Sequence, residues 1–466
     1  METNVTSQRA ATNAGLEHPA NVEQFGYKQE LKRSLSFWDL LIYGLIFMVP
    51  IAPFGIYGYV AQGSFGMVSL AYLIGMVGMV FTALSYARMS EAFPIAGSVY
   101  SYAQRGINEH VGFFAGWVIL LDYILIPSLL YLISASALGA IIPEIPSYVW
   151  LLIFIGINTV INIFGIEITA KANKIILILQ LLILAVFITA AVIAVAKGVN
   201  GATFTFKPLY DKAHFSIGTV MGAVSIAVLS FLGFDAVSTL AEETNGGKKA
   251  IGRSIVFSLL VIGIMFIVQT WVAALLWPDY TTFENADVAF YQIAELAGGP
   301  WLKWTTIIAT ALAWGIANSL VAQAAISRIL YSMARDKKLP GILAKVHSKY
   351  KTPYMSVLIV AAISLIVTLS FSSHIASLSS LVNFGALTAF LFLHLSVINY
   401  FLRKQKSKDY LNHLLYPLIG FMIIGYVWYS LDAASKQFRF IWMGIGIVYM
   451  IYLKLTKKNA SIAGDL

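Results

Sequence analysis

Residues 228–244 read VLSFLGFDAVSTLAEET. The stretch begins as an apolar run, but it carries Gly233 and Asp235 before it turns polar. Glycine loosens a helix, and a carboxylate within a hydrophobic run is costly to bury. The stretch therefore predicts a helix that is broken near Gly233, and it raises the question of what Asp235 does at the break.

The chain as a whole is too apolar for a water-soluble domain. Of its 466 residues, 59% are hydrophobic and 11% are charged, whereas soluble domains carry roughly a quarter charged residues. Many apolar runs reach the ~20 residues that a spanning helix needs, and a β-barrel would show short alternating segments instead. We therefore expect an all-α polytopic membrane protein whose surroundings are a lipid bilayer.

Twelve apolar segments are long enough to be considered as membrane spans. They lie at about 37–61, 67–92, 111–139, 147–165, 170–196, 215–241, 251–277, 304–334, 353–371, 377–401, 412–431 and 437–455.

The basic residues predict how these spans are oriented. If the N-terminus is inside, the even-numbered connections face the cytoplasm, and they hold most of the Lys and Arg, as in 335–351. This distribution follows the positive-inside rule and accounts for the net charge of +9 without a nucleic-acid partner. Residues 1–27 lack the apolar core of a signal peptide. We expect a multi-pass protein of the cell membrane with both termini in the cytoplasm.

A second break is predicted in span one. Residues 47–58 read FMVPIAPFGIYG, with prolines and glycines inside the apolar run. In lipid, freed backbone groups are tolerated where they line a cavity or meet protein. Each break alone fits an ordinary kink, but breaks in spans one and six match if the chain contains an inverted repeat of five helices, as in many transporters.

Four stretches resemble the amino acid–polyamine–organocation (APC) transporter superfamily. They are FPIAGSVYSYAQRGINEHVGFFAGW (93–117), SFLGFDAVSTLAEE (230–243), SRILYSMARDKKLP (327–340) and TPYMSV (352–357). Within that superfamily the chain is similar to the bacterial putrescine importers, on LLDYILIP (120–127), SFLGFDAVSTLAEET (230–244), SRILYSMARD (327–336) and VNFGALTAFLFLHLSVINYF (382–401). The resemblance implies an importer of a small cationic amine that is driven by the proton motive force.

The resemblance also implies an architecture. It is a LeuT-like bundle of 12 transmembrane helices, in which two inverted five-helix repeats with broken helices 1 and 6 are followed by two extra helices. The expected parts are a cytoplasmic tail (1–34), a first repeat (35–200), a second repeat (201–402), the last two helices (403–456) and a second cytoplasmic tail (457–466).

Two positions depart from the pattern of amino-acid-transporting relatives. Their first helix usually carries a Gly-Ser/Thr-Gly turn whose N–H groups hold the substrate carboxylate, and the aligned residues here are Pro50, Ile51 and Ala52. Proline has no N–H to donate, which disfavours an α-amino acid as substrate. Some relatives also carry a lysine in helix five in place of a sodium ion, and the matching residue is Gln180. Sodium coupling therefore stays open beside proton coupling.

Two acids lie inside predicted spans, at Asp122 and Asp235. Ionised groups near the bilayer centre are expensive and therefore suggest function. Asp235 is predicted to bind the amine, to carry the coupling proton, or both, and its alternative role is to cap freed N–H groups. For Asp122 the alternative is a structural hydrogen bond between helices.

A diamine also needs apolar and aromatic surfaces between its charged ends, because cation–π contacts attract ammonium groups. The aromatic candidates are Phe47, Tyr123, Phe231 and Phe234, for each of which plain packing is the alternative. The remaining candidates are backbone positions at the two breaks and amides inside spans: Val49, Pro50, Ala52, Gly233, Asn318 and Asn383.

The leading hypothesis is thus a secondary transporter of putrescine or a similar amine, with no cofactor or metal. The alternative is an amino acid permease or exchanger of the same superfamily. The chain has no cysteine, no metal-binding histidine spacing and no Walker-type phosphate loop, so an enzyme or an ATP-driven pump is disfavoured. A channel would instead show flux that does not saturate.

Overall fold

A computed structural model describes residues 35–95, 98–139, 142–164, 167–245, 247–335, 339–350, 352–372, 374–431 and 436–455. Within these ranges the chain is helical and contains no strand; one isolated bridge joins Leu35 to Thr244. The predicted cytoplasmic tails, 1–34 and 457–466, lie outside the described residues.

Ten helical segments in the described ranges are long and apolar enough to cross a membrane. Two further apolar helices, Tyr354–Ser370 and Gln437–Tyr452, are shorter, and they coincide with the predicted spans nine and twelve. The chain is therefore a multi-pass membrane protein.

The first half of the chain forms seven α-helices. They are α1 (Phe37–Met48), α2 (Tyr57–Gly63), α3 (Val68–Ala92), α4 (Ser98–Gly106), α5 (Glu109–Gly139), α6 (Ser147–Phe164) and α7 (Glu167–Ala196). A 3₁₀ segment, Ala52–Gly55, connects α1 to α2, and another, Val199–Gly201, follows α7.

The second half contains nine α-helices and several tighter or wider segments. The helices are α8 (Ile217–Ala227), α9 (Lys248–Leu276), α10 (Ala289–Gly298), α11 (Pro300–Leu312), α12 (Ser319–Arg335), α13 (Tyr354–Ser370), α14 (Ile375–Ile398), α15 (Tyr416–Tyr429) and α16 (Lys436–Leu455). The 3₁₀ segments are Val228–Phe231, Phe234–Glu243 and Gly341–Ala344, and the π segments are Ala313–Asn318, Asn399–Lys404 and Leu411–Leu415.

The most buried helices form the centre of the bundle. Helix α9 packs along α3 and α1, and α14 packs along α5. Helices α6 and α7 instead expose large apolar side chains, including Leu152, Val160 and Leu182. In a membrane protein such faces contact lipid, so α6 and α7 lie at the periphery and the broken helices lie inside.

Polar side chains join α6 to the region around the π segment. A π turn frees backbone carbonyls, and Asn158 Nδ2 donates to the Gly315 carbonyl oxygen at 2.8 Å. One turn further along, Asn162 Nδ2 donates to Gln323 Oε1 at 2.8 Å. These bonds fix α6 against α12 in a place where lipid offers no replacement partner.

Candidate functional site

The first break follows from Pro50. Proline lacks an N–H and disfavours helical geometry in the residue before it, so α1 ends at Met48 and Val49 adopts φ 52°, ψ 100°. The freed Pro50 carbonyl oxygen accepts a hydrogen bond from Gln269 Nε2 of α9 at 3.0 Å. This bond satisfies a backbone group inside the membrane, and it holds the break in a defined shape.

The second break is centred on Gly233, as the opening stretch predicts. Helix α8 tightens into the 3₁₀ segment Val228–Phe231, and Gly233 then adopts φ 103° before the second 3₁₀ segment begins. A Cβ added to Gly233 would lie 3.0 Å from the carbonyl oxygen of Phe47. Glycine is suited to this position because it adopts a positive φ easily and has no side chain to block the close approach. The two breaks therefore lie against each other.

Asp235 lies two residues after Gly233, and its side chain is buried. Its Oδ2 accepts hydrogen bonds from the hydroxyl groups of Tyr123 at 3.2 Å and Tyr86 at 3.4 Å. Asp235 is also the second residue of the 3₁₀ segment that follows the break. The predicted capping role is therefore compatible with this position, but the two tyrosines show that the carboxylate points into the bundle.

Asp122 is also buried, on α5 next to Tyr123, and its Oδ1 has no hydrogen-bond partner among the described residues. The next residue, Tyr123, connects it to Asp235 by donating to the Asp235 carboxylate. Gly385 of α14 packs against its backbone, because a Cβ there would lie 2.8 Å from the Asp122 nitrogen. Asp122 Oδ1 therefore takes no part in the structural hydrogen bond between helices that is the alternative prediction.

A third tyrosine completes the cluster. The Tyr102 ring of α4 packs edge-on against Tyr86 with centroids 6.0 Å apart, and its hydroxyl, like Ser238 Oγ, is buried. We refer to Asp122, Asp235, Tyr86, Tyr102 and Tyr123 as the aspartate–tyrosine cluster. The ion pairs seen among the described residues lie elsewhere, so the cluster has excess acceptor capacity.

Aromatic rings form one wall of the cluster. Phe234 contacts the Tyr86 ring edge-on, with the centroids 5.6 Å apart, and Phe390 lies 5.5 Å from Phe234. Phe231 instead packs between Tyr72 and Phe266. Of the two phenylalanines that flank the break, Phe234 therefore borders the acids, whereas Phe231 packs between α3 and α9.

The other predicted residues belong to the first break and to α14. Val49, Pro50 and Ala52 form the buried turn of the first break, and the half-buried Phe47 meets Gly233. Asn383 Nδ2 donates to the Ser225 carbonyl oxygen at 2.8 Å, and its Oδ1 has no partner among the described residues. It ties α14 to the end of α8.

Asn318, the last predicted amide, ends the π segment and is half-buried. The structure does not join it to the aspartate–tyrosine cluster through any described contact. Gln180, the residue at the position of the lysine in some relatives, is buried on α7, and its Oε1 also has no partner among the described residues.

Sequence reasoning missed Tyr86, Tyr102, Gln269 and His394. Tyrosines and glutamines inside spans carry no distinctive spacing, so only the packing of α3, α4 and α9 reveals their partners. His394 is fully buried on α14, with Nε2 at 3.2 Å from Thr82 Oγ1 and Nδ1 at 2.9 Å from Ser85 Oγ. Because Thr82 donates to the Gly78 carbonyl oxygen, its oxygen accepts from His394 Nε2–H, and Ser85 donates to Nδ1.

Among the described residues, no group of three or more His, Asp or Glu side chains is arranged to hold a metal ion. The chemistry that the cluster offers is that of two carboxylates with tyrosine hydroxyls and aromatic faces. Such groups neutralise and orient organic cations or exchange protons, and the arrangement has no nucleophile with an adjacent base.

Comparisons with known proteins agree on one family. A family model described as amino acid permease matches residues 48–451. The low-affinity putrescine importer PlaP of Escherichia coli (strain K12) is 32% identical over 445 residues, which cover 94% of this chain and 97% of that protein.

Other relatives are named for different substrates. The branched-chain amino acid permease BcaP of Bacillus subtilis (strain 168) is 28% identical over 471 residues, covering 93% of this chain and 95% of its own length. The methylthioribose transporter of the same organism is 26% identical over 455 residues, with coverages of 91% and 94%. The comparisons thus agree on transport and differ in what is carried.

Proposed function

The chain belongs to the amino acid permease family of the APC superfamily, and from this membership we propose that it imports a small cationic amine such as putrescine. Its family and relatives are transporters and not enzymes. The observation that carries the proposal is the pair of buried aspartates: Asp235 is held by two tyrosine hydroxyls, and Asp122 Oδ1 has no partner among the described residues.

A diamine matches this chemistry. A buried carboxylate is unfavourable unless it is paired, and an ammonium group supplies the missing charge and up to three hydrogen-bond donors. We assign one ammonium to Asp235 with Tyr86 and Tyr123, and the second to Asp122. The faces of Phe234 and Tyr86 border the methylene chain and the charged ends, where cation–π attraction contributes about 0.5–2 kcal/mol.

The first break supports a substrate without a carboxylate. Pro50 has no N–H, and its carbonyl oxygen is occupied by Gln269. A carboxylate placed here would lose a backbone donor that relatives with glycine offer. An amino acid permease or exchanger remains the second candidate, because BcaP shares 28% identity over nearly the whole chain.

We further propose proton coupling through Asp235, with the carboxylate alternating between the amine and a proton, which makes the protein a symporter. A neutral Gln180 in helix five leaves sodium as the competing ion. The proposed architecture is the LeuT-like one: 12 helices, repeats at 35–200 and 201–402, extra helices at 403–456, and both termini at the cytoplasmic side of the cell membrane. The tight contact between the two breaks supports the pairing of helices 1 and 6.

The decisive experiment is uptake of labelled putrescine into proteoliposomes under imposed proton and sodium gradients. We expect saturable uptake that excess putrescine competes away, that collapses with a protonophore, and that does not require sodium. If leucine or lysine inhibits the uptake and putrescine does not, the substrate is an amino acid and not an amine.

The Asp235→Asn variant tests the residue that carries the proposal. We expect at least a hundredfold loss of uptake, because the amide keeps the shape but removes the charge that the ammonium and the proton require, and charge-assisted bonds contribute about 1.5–3 kcal/mol each. The control is Asp279→Asn in an exposed loop, which should transport normally. Quantitative membrane insertion of both variants, measured by immunoblotting, must accompany the uptake, and wild-type-like uptake by Asp235→Asn would remove the assignment.

A further inference from the structure

A cavity lined by both polar and apolar side chains lies between α6, α12 and α13, apart from the aspartate–tyrosine cluster. It encloses about 90 Å³, and its walls include Asn162, Ala324, Arg328, Thr352 and Val357. Asn162 lies two residues before the end of α6, and Thr352 lies two residues before the start of α13. The cavity is therefore at the ends of these helices, where a spanning helix meets the membrane surface.

The uncharged polar side chains that line the cavity form hydrogen bonds with the helices around it. Thr352 Oγ1 donates to the Ile163 carbonyl oxygen at 2.7 Å, and Ser327 Oγ donates to the Gln323 carbonyl oxygen at 2.7 Å. Asn162 Nδ2 is shared between the Leu320 carbonyl oxygen and Gln323 Oε1. The bonds of Thr352 and Asn162 join α6 to the segment before α13 and to α12 around the opening.

Arg328 is the charged residue of the lining, and no acid lines the cavity within the described part of the chain. Its side chain is exposed, and none of the ion pairs seen among the described residues includes it. A guanidinium offers five N–H donors in a planar fork that matches two phosphate oxygens. The cavity therefore offers one cationic side chain whose donors can pair with a phosphate group.

The connection beside the cavity adds positive charge. Its described residues, 339–350, include the exposed Lys345 and Lys349 and no Asp or Glu. Lys349 lies over the ring of Tyr350 at 5.3 Å, and that ring packs edge-on against Phe164 at the end of α6 with centroids 4.9 Å apart. The lysine is thereby held at the same helix end as the cavity.

The outer wall below the cavity is apolar and faces lipid. Val160 and Phe164 of α6 and Leu358 of α13 are large exposed apolar side chains on the outer side of the same two helices. A ligand that fills the cavity with a phosphate and covers this wall with hydrocarbon is a phospholipid. The excess of bases selects one with net negative charge.

We propose that this cavity binds the headgroup of an anionic phospholipid, with the phosphate on Arg328 and the acyl chains along α6 and α13. The leaflet is the one at the base-rich side of the protein. The proposal is independent of the transported substrate, because the readout below is lipid binding and not transport.

The test uses the purified full-length protein in detergent, with delipidation followed by addition of defined lipids. We expect phosphatidylglycerol to raise the melting temperature by several degrees and to give a retained one-lipid adduct in native mass spectrometry, and we expect phosphatidylcholine to do neither. Inorganic phosphate at millimolar concentration should leave the melting temperature unchanged. An equal, Arg328-dependent shift with inorganic phosphate would assign the cavity to a soluble anion and overturn the lipid assignment.

Three variants locate the effect. Arg328→Gln should abolish most of the phosphatidylglycerol shift, whereas Arg403→Gln, which removes an exposed arginine from another connection, should retain it. Ala324→Leu, which fills the cavity and keeps every charge, should also abolish the shift and shows that the effect is not general electrostatic attraction. A full shift in Arg328→Gln or in Ala324→Leu would contradict the proposal.

Discussion

At the scale of single residues, the question that Asp235 raises is answered by its neighbours. A carboxylate inside a membrane bundle needs a charged partner or hydrogen-bond donors, and Asp235 has two tyrosine hydroxyls from α3 and α5. Asp122, for which the sequence favours function and a structural hydrogen bond about equally, has an Oδ1 without any partner in the described part of the chain. The two acids are therefore not equivalent: Asp235 Oδ2 accepts two hydrogen bonds from the protein, whereas Asp122 Oδ1 accepts none among the described residues.

This difference gives a prediction for Asp122→Asn. If Asp122 meets the second ammonium of a diamine, the variant loses one charge-assisted contact of about 1.5–3 kcal/mol, so that KM for putrescine rises roughly 10- to 100-fold. Inhibition by n-butylamine, which has one ammonium, should change little. The measurement is competition of labelled putrescine uptake in proteoliposomes.

The contrasting outcome for Asp122→Asn is a lower melting temperature of the purified protein with unchanged KM. That result would assign Asp122 to holding α5 in place, as the structural alternative requires. Because melting temperature and KM are separate readouts, the two roles are distinguishable even if both change.

At the scale of elements, the two breaks depend on each other. Pro50 ends α1, and Gly233 follows the 3₁₀ segment that extends α8. The Phe47 carbonyl lies so close to Gly233 that a side chain there would crowd it. Gln269 of α9 then fixes the first break through the Pro50 carbonyl. The geometry of each break is thus set by a residue of another helix, which is why a single broken span in a sequence says little about its shape.

Gly233→Ala is expected to damage both breaks. A Cβ at φ 103° costs about 1–2 kcal/mol for an L-residue, and it would press on the Phe47 carbonyl at 3.0 Å, so we expect a melting temperature several degrees lower and uptake reduced at least tenfold. The control is Gly222→Ala on α8, where a Cβ meets nothing within 4 Å. That variant should be neutral or up to about 1 kcal/mol more stable; equal behaviour of the two variants would contradict the role of Gly233.

At the scale of the whole molecule, charged residues outside the membrane predict the orientation, and polar contacts inside it hold the helices together. The basic residues collect in the even-numbered connections and predict the orientation. Inside, polar bonds such as those of Asn158, Asn162 and His394 join helices that are distant in sequence. At the edge, Trp117 and Trp442 each donate to the other's backbone carbonyl, at 2.9 and 3.0 Å, and attach α16 to α5.

The orientation can be tested directly because the chain has no cysteine. Single replacements Lys349→Cys and Lys408→Cys should react with a membrane-impermeant maleimide only after the cells are permeabilised. Lys207→Cys and Asp279→Cys should react in intact cells, since all four positions are exposed and the connections alternate in side. Labelling of Lys349→Cys in intact cells would reverse the proposed orientation.

The sequence by itself determined the membrane class, the family, the positions of both breaks and the two buried acids. These properties can be recognised along the chain, because apolar length, proline, glycine and an isolated charge have local effects. It did not determine that Phe231 packs against Tyr72 and Phe266 while Phe234 borders the acids, although the two are three residues apart.

Only the tertiary structure decided which side chains meet. Tyr86 and Tyr102 come from α3 and α4, Tyr123 comes from α5, and Gln269 comes from α9, and no spacing along the chain links them to Asp235 or Pro50. The physical reason is that a helix presents a new residue about every 100° of rotation, so a polar side chain finds its partner through the rotation and crossing of whole helices. Those variables are set by the packing of the bundle and are not encoded by any single stretch.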